Sequence, residues 1–151
     1  MTDQKEMHRQ FAVQTFNGVW ELLDKKERTK DEDAQMIRMA HASRYHWGEI
    51  GTPLEFARGD WQIARVYALL GFGVMAHKYA KTCLELCEKN ELGDFDLAFA
   101  YEALARACAV SGDISKGAGY LSLAKSAGKE IKKKDDREYF FNELKSVEEL
   151  L

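Results

Sequence analysis

Proline occurs once in this chain of 151 residues, at Pro53, and cysteine three times, at Cys83, Cys87 and Cys108. So little proline leaves almost nothing to interrupt helices, because the residue breaks an α-helix anywhere but its first turn. An odd number of cysteines without a secretory leader argues against a disulfide framework, and no Cys-x-x-Cys pair is present to seat zinc or a redox disulfide. Cys83 and Cys87 do stand four residues apart, a spacing that offers two thiolates from one helix face. Buried, reduced thiols without metal are the expectation for all three. Charge of one sign is missing too: 22 Lys+Arg face 25 Asp+Glu, for a net charge of -3. Such a surface exerts no whole-molecule attraction on nucleic acid or anionic lipid, so neither is expected as a partner. No apolar run approaches membrane-spanning length, and the polar start Met1-Thr-Asp-Gln-Lys-Glu6 is followed by no leader-like apolar segment, which predicts a cytoplasmic protein. Phosphate-cradling glycine loops, His-Glu-x-x-His and the nucleophile elbow are also missing.

What is present is helical throughout. With 46% apolar and 11% aromatic residues the chain has enough for one sizeable core. Thr52-Pro53-Leu54-Glu55 reads as a start signal, with Thr as cap, Pro in the first turn and Glu reaching back to the cap amide. Thr29 to Glu32 and Asp135 to Glu138 read as two more such boxes, and Asp94 and Asp113 begin others. Gly51, Gly71, Gly93 and Gly112 each follow a periodic apolar segment, where a left-handed residue ends a helix. These signals predict an all-α fold of about seven helices near 5-24, 31-50, 53-70, 74-90, 95-111, 114-131 and 136-150. Short connections make consecutive helices antiparallel neighbours. Helix-interior glycines at 18, 48, 59, 117 and 119 each cost about 1 kcal/mol relative to alanine, which predicts close helix approach at these places.

An internal echo sets the architecture. Ile63-Ala-Arg-Val-Tyr-Ala-Leu-Leu-Gly71 returns 41 positions later as Leu104-Ala-Arg-Ala-Cys-Ala-Val-Ser-Gly112, and Ala76 and Tyr79 are matched by Gly117 and Tyr120. A period of this size marks a helical repeat array, in which each helix pair buries its apolar face on the next. Residues 53-90 and 95-131 are therefore expected to form two equivalent antiparallel hairpins within one domain, with 136-150 as a terminal capping helix. Trp61 and Tyr67 are expected to be largely buried. In the spacing of Ala64, Tyr67, Gly71, Ala76, Ala80 and Cys83, and of Ala105, Cys108, Gly112, Gly117, Leu121 and Ala124, the two copies resemble tetratricopeptide repeats. The chain as a whole is also similar to a group of small bacterial proteins, a likeness that implies no activity.

The resemblance implies a short right-handed superhelix that holds a protein or peptide partner in a concave groove, without a cofactor and without catalysis. It also implies that Arg65 and Arg106 face that groove. Arg58 and Gln62 share the face of Arg65 by helical spacing. Guanidinium groups so placed clamp carboxylates, so an acidic or carboxylate-bearing segment is the expected ligand. The structural alternative is that Glu102 pairs with Arg106 four residues on, and that Arg65 lies over Trp61. His41 and Arg44 also project together, as half-buried residues bonded to a neighbour or as an anion or peptide contact, whereas His46 lies too far around the helix to share a metal with His41. His8 and His77 stand alone in the sequence. Two rival functions stay open: an enzyme acting on a small molecule or anion around His41, Arg44, Arg58 and Arg65, and a self-associating array forming a homodimer.

Overall fold

The computed structural model describes residues 3–151, and the periodic segments all form α-helices: α1 (Gln4–Leu23), α2 (Lys30–Ile50), α3 (Pro53–Leu69), α4 (Gly73–Lys89), α5 (Asp94–Val110), α6 (Ile114–Lys129) and α7 (Lys134–Leu150). No strand occurs among the described residues. The start signals act locally. Thr29 and Glu32 form the reciprocal box, each side chain bonding the other's backbone N–H at 3.1 and 3.0 Å, and Asp113 accepts from the Lys116 amide. Two boxes turn out differently. The Thr52 hydroxyl donates to Glu55 Oε2 and leaves the backbone uncapped, while Pro53 fills the first helical position. Helix α7 begins at Lys134, ahead of the expected cap, which moves Asp135 and Asp136 into the first turn, where carboxylates suit the helix dipole.

Three of the stops share one geometry. Gly71 and Gly112 take φ of +84° and +79°, and the following residue donates back to the helix, Phe72 to Tyr67 O at 2.8 Å and Asp113 to Cys108 O at 2.9 Å. After α4 the same bond runs from Leu92 to Cys87 O, but the left-handed residue is Glu91, not the expected Gly93. Gly51 is extended, with φ of -91° and ψ of -173°, so the α2 terminus uses no left-handed residue.

Helices α1/α2, α3/α4 and α5/α6 pack as hairpins, with α2 against α3 and α4 against α5 joining them into a row. Helix α5 also touches α3 and α7, so the first helices of successive hairpins lie side by side. That central position explains the composition of α5: Ala98, Ala100, Ala103, Ala105 and Ala107 are all buried, because neighbours approach it from several directions. The core is accordingly a series of clusters, Val19, Met36, Ile63 and Val66 near one end and Ala98, Ala124, Phe140 and Leu144 near the other. Close approach accounts for Gly59, where an added Cβ would lie 2.8 Å from Arg44 Cδ, and for Gly117, 2.7 Å from Leu151 Cδ2. Gly119 departs from the expectation, since nothing lies within 4 Å of its Cβ position.

Candidate functional site

The side-by-side first helices carry an aromatic cavity of about 410 Å³. Helix α1 contributes Phe16 and Trp20, one turn apart; α3 contributes Arg58 and Trp61. From α5 come Phe95, Asp96 and Phe99, and from the start of α7 Asp136 and Tyr139. The rings form a continuous wall. Trp20 stacks on Trp61 at 5.7 Å, Trp61 meets Phe99 edge-on at 5.7 Å, and Phe99 contacts Phe95 at 4.7 Å and Tyr139 at 5.9 Å. Trp61 and Tyr67 are both mostly buried, as expected, with part of Trp61 left open to the cavity.

Polar groups are few at the cavity. Arg58 grips Asp96 as a fork, Nε to Oδ1 at 2.9 Å and Nη2 to Oδ2 at 3.3 Å, and that bond raises the guanidinium pKa. Asp136 has no ion-pair or hydrogen-bonding side-chain partner among the described residues. The indole N–H of Trp61 is buried without an acceptor.

Farther along the same face lies a charge network that crosses three helices. Glu102, 0% exposed, accepts at Oε1 from Arg106 Nε at 2.8 Å, Arg106 Nη2 at 2.6 Å and Arg65 Nη1 at 3.4 Å. Arg65 reaches on to Glu143 at 2.6 Å and lies 5.7 Å from the Trp61 ring, and Arg106 also donates to Ser146 Oγ at 2.8 Å. Both contacts named as the structural alternative are therefore present. The crevice between Arg65, Glu102 and Arg106 is closed to a water-sized group. Gln62 is 0% exposed, so it does not face the groove; its Nε2 donates to Phe16 O at 3.0 Å and ties α3 to α1.

Of the six residues singled out in the sequence, only Arg58 lines the cavity. His41 shares a hydrogen bond with the Tyr67 hydroxyl at 2.9 Å, and burial, then the charge of Lys78, lowers its pKa. Arg44 bonds Asp60 at 3.2 Å and lies 4.6 Å from the Phe56 ring centre. Asp60, 3% exposed, has its pKa raised to about 6 because burial outweighs the attraction of Arg44. His8 is not solitary: its Nδ1 lies 2.8 Å from His46 Nδ1, and burial and then this neighbour lower the His46 pKa. All three cysteines are free and buried, and the hydrogen bond that the Cys83 thiol donates to Cys87, then burial, pushes the Cys83 thiol pKa well up. The aromatic wall was the part missed in the sequence. Its local traces are the one-turn pairs Phe16/Trp20 and Phe95/Phe99, which helical spacing alone assigns to any core. No protein family, curated protein or solved structure matches the chain, so its own cavity and charge network are the guides to function.

Proposed function

We propose that this chain is a non-enzymatic interaction protein, a short tetratricopeptide-like stack that seats a side chain of a protein or peptide partner in its aromatic cavity. The observation that carries the reading is the convergence of α1, α3, α5 and α7 on one open, ring-lined hollow. Sites of this kind anchor a ligand by desolvating it against aromatic walls, while a small number of polar groups set its orientation. Arg65 and Arg106 already hold protein carboxylates, Glu102 and Glu143, so an acidic segment would have to displace both. The neighbouring cavity demands no such exchange.

The test is selection of binders from a random peptide library on the immobilised protein, followed by titration read through tryptophan fluorescence. Two of the three tryptophans, Trp20 and Trp61, line the cavity, so occupancy changes the emission. Tyr139→Ala, at a side chain 46% exposed, is expected to weaken selected peptides by about tenfold or more. Tyr45→Ala, 61% exposed on α2 and outside the cavity, is expected to leave them unchanged. Failure of the library to yield a binder, or equal binding by Tyr139→Ala, overturns the reading.

A further inference from the structure

We infer that the side chain received by this cavity is an arginine of the partner segment. The inference rests on the peptide-binding reading and specifies the residue recognised. Its first support is charge. Arg58 is neutralised by the forked bond to Asp96, which leaves Asp136 as the unpaired charge of the lining, so the hollow carries one net negative charge. The first turns of α5 and α7, which would otherwise attract an anion, already hold Asp96 and Asp136.

The second support is the wall. Aromatic faces attract cations through their quadrupole, and indole faces do so most strongly; Trp20 and Trp61 both line this cavity. A guanidinium suits the combination better than an ammonium, being planar enough to stack, weakly hydrated enough to leave water, and forked to meet one carboxylate with two N–H groups. The chain contains the same arrangement internally. Arg44 lies against Phe56 while bonding Asp60, and Arg65 lies against Trp61 while bonding Glu102 and Glu143. Trp61 is already stacked on Trp20 and holds Arg65, so in the cavity Trp20 and Asp136 supply the ring and the carboxylate, and the guanidinium is the missing member.

The probes are the library-selected peptides, each resynthesised with its arginine replaced by citrulline, which keeps the shape and removes the charge, and by leucine. They are titrated into the full chain and into Asp136→Asn. The selected peptides are expected to share an arginine, to lose about tenfold or more with citrulline, and to show most of that preference erased in Asp136→Asn at an unchanged melting temperature. Peptides that bind equally well with citrulline, or an arginine preference that survives in Asp136→Asn, overturn this inference and leave the peptide-binding reading standing. A library that yields no binder removes both. Acetyl-arginine amide binding as tightly as the peptides would identify a small-molecule site and also overturn both.

Discussion

Replacing Arg65 and Arg106 together by alanine removes every cation that contacts Glu102, and the expected consequence is loss of stability before any question of ligand arises. Glu102 is 0% exposed; its Oε1 takes three N–H bonds from these two arginines, and its Oε2 has no partner. Stripping the partners from a buried ion pair costs about 3–5 kcal/mol, since the remaining charge is left in a medium that solvates it poorly. The separate bond from Arg65 to Glu143, whose side chain is 28% exposed, adds at most about 1 kcal/mol. A domain of this length loses roughly 2–4 °C of melting temperature per kcal/mol, so the double variant is expected to melt about 6–24 °C below the parent. Far-UV circular dichroism during a thermal ramp reads this directly. Adding Glu102→Leu to the double variant is expected to recover most of the loss, because the uncompensated charge is then gone. A double variant melting within about 2 °C of the parent would show that Glu102 does not need its arginines. It would return both guanidinium groups to the groove as candidate ligand contacts.

Two further outcomes follow from single side chains. Gly119→Ala is expected to stabilise by up to about 1 kcal/mol, since the new methyl meets nothing within 4 Å. Gly128→Ala in the same helix is expected to destabilise by about 1–3 kcal/mol, its Cβ falling 2.7 Å from Cδ1 of the fully buried Phe140. Urea melts that move both variants in the same direction would contradict the packing assigned to α6. Asp60 holds its proton to about pH 6 when folded against an ordinary carboxylate value of 3.8, so the folded state binds more protons than the unfolded state between these limits. Its contribution to stability is therefore present at acid pH and lost as pH rises through about 6. The stability of Asp60→Asn relative to the parent is expected to rise across that window and to level off above it. Parallel pH profiles for the two proteins would refute the assignment.

Local signals were legible wherever a bond spans a few residues. The Thr29 box, the left-handed turns at Gly71 and Gly112, and the 41-residue echo all act within a helix or hairpin, and they predict the seven helices to within a few residues. Glu91 shows where this stops: φ of +55° is set by the Leu92-to-Cys87 closure, which imposes the left-handed geometry on whichever residue stands there. The cavity depends on long-range placement. Trp20 and Tyr139 line one cavity only because three hairpins and α7 stack in register, and no spacing along one helix encodes that. Arg65 and Arg106 occupy matching places in the echo, but the carboxylate of Glu143 that pairs with Arg65 arrives from α7, outside the repeat.

The Phe16 carbonyl that accepts from Gln62, and the Trp20 ring stacked on Trp61, fasten α1 to α3, while Tyr139 approaches the same cavity from the last helix. In a stack held mainly by nearest-neighbour contacts, each end can fray on its own, and opening one terminal hairpin leaves the other intact. An occupant touching both Trp20 and Tyr139 would change that, because α1 could no longer peel away without releasing something that also rests on α7. Amide exchange in the two terminal helices would then slow together as the cavity fills, turning a series of independently breathing hairpins into one cooperative unit.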